Sequence, residues 1–225
     1  YDSAGNPLGP EFRVNTYTES WQTYPSVAMD ANGNFAIAWE SYGQDGSSSG
    51  IYAHRYDNAG NPLGSELRVN TFTTDGQGYP SVAMDASGNF VIAWQSSGQD
   101  GSEEGIYAKR YDSAGNPLGP EPRVNTYTAS DQMYPSVAMG ANGNFVIAWQ
   151  SPQDGDGYGI YAQRYDSAGN PLGSEFKVNT YTISWQMYPS VAMDANGNFV
   201  IAWQSSGQDG DGYGIYAQRY DSAGN

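Results

Sequence analysis

One phrase returns four times in this chain: Tyr-Pro-Ser-Val-Ala-Met, a turn, then an apolar run ending in Ile-Ala-Trp, at residues 24–39, 79–94, 134–149 and 188–203. Its closing tryptophans, Trp39, Trp94, Trp149 and Trp203, stand 55, 55 and 54 residues apart. A unit of that length buries too little surface to be stable alone, so it must stack on its neighbours. The whole chain, residues 1–225, is therefore read as one domain of four repeats beginning near residues 24, 79, 134 and 188. Residues 1–23 are read as a closing strand and a linker.

Each repeat carries four strand signals. In the first copy strand A covers residues 26–30, strand B 34–40, strand C 51–57 and strand D 66–71; residues 11–16 read as a further D strand ahead of the first A. The segments between them are rich in Gly, Asn, Asp and Pro, which suits antiparallel meander turns. Strand B is the most informative. Phe35, Ile37 and Trp39 fall on one side and Ala36 and Ala38 on the other, so both sides are apolar, one bulky and one small. A strand with one wet side would alternate apolar with polar, so this one is expected to be buried on both. The bulky side of one sheet can fill the alanine side of the next. Four-stranded meanders stacked in this way form an all-β propeller. The expected architecture has four blades of four antiparallel strands, with the N-terminal strand completing the last blade and removing an open edge. A monomer is expected; the alternative is a homodimer in which two chains build an eight-bladed ring.

The Tyr-Pro-Ser-Val-Ala-Met-Asp, Phe-Val-Ile-Ala-Trp and Ile-Tyr-Ala-Gln-Arg-Tyr-Asp segments resemble the highly repetitive β-propeller repeats of large bacterial secreted or surface proteins. Those proteins often also carry haemolysin-type calcium-binding arrays. The resemblance spans the whole chain and implies a propeller fold and an extracellular or cell-surface location. Near identity of the copies also fits a recently amplified or consensus-designed sequence. Residues 30–35 are similar to the Asp-box turn of sialidase-type propellers, without that motif's serine spacing and aromatic ending.

Composition narrows the partners. Twenty-four acids against nine bases give a net charge of −15, which disfavours nucleic acid and anionic membranes. There is no cysteine, hence no disulfide framework, and no apolar run approaches membrane-spanning length. The first six residues are also the last six, so the chain opens in mid-motif and is read as an excised or engineered segment.

The two ends of the array differ. The A–B and C–D connections are uniform, with Asp-x-Asn-Gly-Asn or Asp-x-Ala-Gly-Asn spacing that is read as tight turns rather than half a calcium loop, since Gly140 replaces the acid in the third copy. The B–C loops (residues 41–50, 96–105, 151–159 and 205–214) and the D–A segments are variable, acidic and aromatic. Trp21, Trp185, Tyr42, Tyr158 and Tyr213 are the candidate ligand-binding residues there, suited to a sugar ring or a protein patch. No cofactor is required by the sequence; the Asp-Gly runs with Asp154, Asp156, Asp209 and Asp211 are the places where Ca2+ would bind if one does. The recurring bases Arg55, Arg110, Arg164, Arg219, Arg13, Arg68, Arg123 and Lys177 are expected to pair with carboxylates inside blades, and His54, replaced by Lys109, Gln163 and Gln218, to occupy a tolerant surface position. No nucleophile, base and orienting group can be assembled from unique residues. The expectation is therefore a non-catalytic binding or structural scaffold with a glycan or protein partner. The competing reading is a glycosidase using carboxylates of the B–C loops, which hold Asp45, Asp100, Glu103, Glu104, Asp154, Asp156, Asp209 and Asp211, too many for the sequence to single out a pair.

Overall fold

The computed structural model describes residues 3–225. It contains fourteen strands in four antiparallel sheets. The first sheet holds β1 (Gln22–Met29), β2 (Phe35–Tyr42), β3 (Ser49–Tyr56) and β4 (Leu67–Arg68). The second holds β5 (Gln77–Met84), β6 (Phe90–Ser97) and β7 (Glu104–Tyr111), and the third β8 (Met133–Met139), β9 (Phe145–Ser151), β10 (Gly159–Tyr165) and β11 (Phe176–Lys177). The fourth holds β12 (Gln186–Met193), β13 (Phe199–Ser206) and β14 (Tyr213–Tyr220). Among the described residues no helix is long and apolar enough to cross a membrane. The chain is an all-β propeller array, as the strand pattern predicts.

The faces pack as the alternation of strand B requires. Ala36, Ala38, Ile51, Ala53 and Val69 of the first blade meet Val82, Phe90, Ile92, Trp94, Tyr107 and Tyr111 of the second. The same arrangement joins the second blade to the third and the third to the fourth. Within each bulky side a phenylalanine stacks flat on a tyrosine of the neighbouring strand, as in Phe90–Tyr111 at 4.9 Å and Phe145–Tyr165 at 4.7 Å. Trp94 and Trp149 are fully buried, yet their indole N–H groups find no acceptor among the described residues. An unmet donor costs about 1–3 kcal/mol. Removing a buried tryptophan costs about 3–5 kcal/mol, so the packing of the ring outweighs the lost hydrogen bond.

The outer strand is weaker than expected. β4 and β11 are two residues long, and in the second blade it shrinks to a single bridge between Tyr107 and Arg123. There Pro122 replaces Leu67 and Phe176, and a proline gives the ladder a carbonyl but no N–H.

Ring closure by the N-terminal strand is not observed. Residues 11–16 lie against the first blade instead: the Phe12 ring is 5.2 Å from that of Tyr56, and the N–H and Oγ1 of Thr16 donate to Glu66 at 2.7 and 2.9 Å. Thr71 makes the same pair of bonds to Glu121, and Thr126 to Glu175. The segment thus occupies the place of an outer strand belonging to a sheet ahead of β1. The four blades form an open arc: β1, β5, β8 and β12 touch in succession, and no comparable contact returns from β12 to β1. Val27 is accordingly 63% exposed, against 6% for its equivalents Val82 and Val137.

Two further expectations are corrected. Arg55, Arg110 and Arg164 of strand C do not pair with carboxylates inside their blades; each of the three reaches backbone carbonyls, one of them in the next blade. Arg110 donates to Leu118 O at 2.9 Å and to Ser167 O at 2.6 Å, and Arg164 to Leu172 O and Ser222 O. Arg55 bonds Leu63 O and Ser113 O likewise. Among the described residues the only ion pair is Arg123–Asp100 at 3.8 Å. His54 is buried rather than tolerant, because residues 11–16 cover it; its ring nitrogens face Gly64 O and the Tyr56 hydroxyl, each at 3.1 Å.

The expected effect of Trp94→Ala is a loss of about 3–5 kcal/mol, measured by urea unfolding, since its side chain fills the joint between two blades. A loss below about 1 kcal/mol would contradict that placement.

Candidate functional site

The variable end of the array is built on a rigid base. In three of the four copies a buried asparagine of the outer strand clamps a buried glutamine at the start of the inner strand: Asn125 Nδ2 to Gln132 Oε1 at 2.9 Å, Asn179 Nδ2 to Gln186 Oε1 at 3.1 Å, and Asn70 to Gln77 likewise. The glutamine amide in turn donates to the loop carbonyls of Ala129 and Ser130, or of Ile183. This folds the D–A segment into a tight turn in which Ser20, Asp75, Ser130 and Ser184 all take left-handed φ values of 57–63°. The residue displayed next is free to vary: Trp21, Gly76, Asp131 and Trp185.

One residue pair further along, Tyr24, Tyr79, Tyr134 and Tyr188 also have positive φ, 51–54°, beside a bulge in each inner strand. For a bulky side chain this conformation costs about 1–3 kcal/mol and needs external support. The support comes from strand B of the preceding blade, where Gln95 Oε1 accepts the Tyr134 N–H and Gln150 Oε1 that of Tyr188, both at 3.1 Å. The rings form a ladder along the inner strands, with centroids 4.2, 4.8 and 4.9 Å apart. The Tyr79 hydroxyl donates to that of Tyr24 at 3.2 Å, which with burial holds the Tyr79 phenol well above its ordinary pKa.

Carboxylates of the first two repeats act on one another here. Burial, then the charges of Asp131 and Glu40, push the Glu104 carboxyl up to about 7, and its Oε2 is buried with no hydrogen-bond partner among the described residues. Asp131 is raised by burial and by Glu103, whose carboxylate accepts the Ser130 hydroxyl at 3.2 Å. Glu40 is raised by burial, against the Ser49 hydroxyl and Tyr79 N–H that favour its charged form. A carboxylic acid protonated near neutral pH beside further carboxylates is suited to general acid catalysis.

The aromatic residues singled out from sequence fall into separate groups. Trp185 meets Tyr158 edge to face at 6.3 Å, and Tyr158 lies within the field of Asp131 and Glu103, so this pair borders the carboxylates. Gly157 makes the pose possible, since a Cβ there would stand 2.3 Å from the Trp185 ring. Trp21 and Tyr42 pair at 6.2 Å on the first blade, and Tyr213 stands exposed on the last. Asp154 folds inward against Gly159, its carboxyl raised by burial despite the pull of Lys177, while Asp156 faces the Ser184 N–H. Asp209 accepts the N–H of Asp211 at 3.4 Å. Among the described residues no three such ligands stand close enough to hold a metal ion together.

Sequence reasoning passed over Glu40 and the tyrosine ladder. The signal was present: Glu40 stands where the other copies have Gln95, Gln150 and Gln204, and it coincides with Gly78, where they have Thr23, Met133 and Met187. A Cβ on Gly78 would lie 2.5 Å from Glu40 Oε2, so the two departures belong together.

No family model and no curated protein matches the sequence. Solved structures do match in fold. An α-L-arabinofuranosidase from Fusarium graminearum, in complex with an iminosugar inhibitor, aligns with a TM-score of 0.63 at 15% identity over 92% of this chain and 65% of its own. The α-L-arabinanase of Penicillium chrysogenum, complexed with arabinobiose, aligns at 0.60 and 17% over 93% and 70%. A protein of unknown function from Dyadobacter fermentans aligns at 0.60 and 14% over 90% and 66%. The chain thus spans about two thirds of the length of these propellers. The expectation of a non-catalytic scaffold is corrected here: glycoside hydrolases share this fold, which favours the competing glycosidase reading. Sequence alone does not show that Asp131, far along the same repeat, and Glu40, on the preceding blade, both act on Glu104.

The raised Glu104 carboxyl has a consequence for stability. Between its unfolded value near 4.5 and its folded value of about 7, the folded chain holds the extra proton, so this group's contribution falls as pH rises through that window. Glu104→Gln keeps the shape without the titration. Thermal melts at pH 5 and pH 8 are therefore expected to show a smaller drop in Tm for this variant than for the parent.

Proposed function

We propose that the variable end of the array hydrolyses glycosidic bonds, with arabinose-containing glycans as the substrate class. The observation that carries this reading is the Glu104 carboxyl, held up to about 7 by burial and by the charges of Asp131 and Glu40. In this role Glu104 is the general acid that protonates the departing glycosidic oxygen, and Asp131 is the second carboxylate, acting on the opposite side of the sugar. Trp185 and Tyr158 offer a flat apolar face bordering the acids, suited to the carbon face of a sugar ring. The likeness to arabinan-cleaving propellers supports the choice of substrate. The acidic surface and the resemblance to repeats of secreted bacterial proteins support an extracellular place of action.

Hydrolysis of 4-nitrophenyl α-L-arabinofuranoside and of arabinan oligosaccharides tests it. Glu104→Gln is expected to lower kcat by about 100-fold or more while leaving binding in place. For the parent chain kcat is expected to fall as pH rises through about 7, where Glu104 loses its proton. Trp185→Ala should chiefly raise KM. Absence of hydrolysis by the parent chain, or an unchanged rate in Glu104→Gln, would overturn the proposal.

A further inference from the structure

The two ends of the arc are complementary. On the first blade the side that every later blade buries is left partly open: Val27 is exposed and Phe35 and Ile37 are half-buried. On the last blade the alanine side is uncovered and β14 has no outer strand among the described residues. Ile215 is 78% exposed there, whereas Ile51, Ile106 and Ile160 are wholly buried.

The hydrogen-bonding groups are unfinished in the same order. Asn15 places its Nδ2 on Tyr17 O and Gln22 Oε1, as Asn70, Asn125 and Asn179 do on their own loops. In those three the Oδ1 accepts the N–H of Ile51, Ile106 or Ile160 at 2.7 Å. The donor that corresponds for Asn15 is Ile215, on the far blade. Ser26, Ser81 and Ser136 accept the N–H groups of Val82, Val137 and Val191 at 3.1 Å, and Ser190 corresponds to Val27. Arg55, Arg110 and Arg164 reach Ser113, Ser167 and Ser222 one blade on, and Arg219 corresponds to the carbonyl of Asn58. Thr180, in the same series, corresponds to Glu11. Each open group on the last blade thus has a counterpart on the first, which its own chain holds on the other side of the arc.

From this we infer that a second copy of the chain docks head to tail. Its Val27 side covers the alanine side of the fourth blade, and its residues 11–16 become the missing outer strand on β14. The joint repeats across two molecules the interface that the chain already forms three times within itself.

Light scattering of the full chain, from low micromolar to near-millimolar concentration, tests this with two variants. Val27→Asp blocks one side and Ile215→Asp the other, and both positions are exposed in the isolated arc, so circular dichroism should match the parent. The parent is expected to gain mass with concentration, and each variant alone to stay monomeric. An equimolar mixture should form a dimer and nothing larger, because Val27→Asp keeps an intact β14 edge and Ile215→Asp keeps an intact Val27 side. Amide exchange at Ile215 of the Val27→Asp chain should slow by about tenfold or more in that mixture. A parent chain that stays monomeric throughout, or variants that fail to pair, would overturn the inference. So would an Ile215 amide already protected in the monomer, which would place the chain's own N-terminal strand there.

Discussion

Everything in this molecule depends on a bulky sheet face meeting a small one. Strand B presents Phe, Ile and Trp to one neighbour and two small side chains to the other, so the sheets can stack in only one sense. A symmetric pairing of two bulky faces would overpack, and two small faces would leave voids; either costs several kcal/mol per joint. The stack therefore has a head and a tail. The strand-C arginines reinforce this sense by reaching forward onto carbonyls of the following blade. These bonds involve partly exposed guanidinium groups, so they add alignment more than stability.

A scaffold repeated so closely leaves little freedom at the turns of one end. There Asp85 or Asp112 accepts two backbone N–H groups and the amide of an asparagine four residues on, which fixes the bend. At the other end the buried Asn–Gln clamps fix the loop path while the residue after each left-handed turn is unconstrained. Variation has collected there: glycine, aspartate or tryptophan on the same support. Function on a repeat protein resides in such departures, since what is common to all copies serves the stack.

The strand order and the two-faced packing were legible in the sequence because both follow from side-chain alternation within a few residues of strand B. The placement of residues 11–16 was not. Those residues match the outer strand of every blade, so their letters fit the fourth sheet as well as a position ahead of the first. What decides is which blade offers the ring of Tyr56 and the carboxylate of Glu66 to Phe12 and Thr16, a matter of contacts far along the chain. The arginine partners were hidden for a related reason: they are backbone carbonyls, which no residue type advertises. Glu104 was visible only as one acid among many, and its distinctive state arises from burial, from Asp131 twenty-seven residues on in the same repeat, and from Glu40 of the preceding one.

Glu40 departs from the glutamine of the other three copies at a local cost. Glutamine at this position accepts the tyrosine N–H of the next blade at 3.1 Å in two copies, whereas the Glu40 carboxylate does so at 3.4 Å. The substitution also brings a negative charge into a partly buried site, where burial raises its pKa. Gly78 beside it leaves room for the tip of the Glu40 side chain, and glycine in a strand forfeits about 0.5–1 kcal/mol relative to alanine. A surface position under no demand would retain the glutamine that the stack prefers. The Glu40 charge then acts on the neighbouring acid, adding to the burial that holds the Glu104 proton.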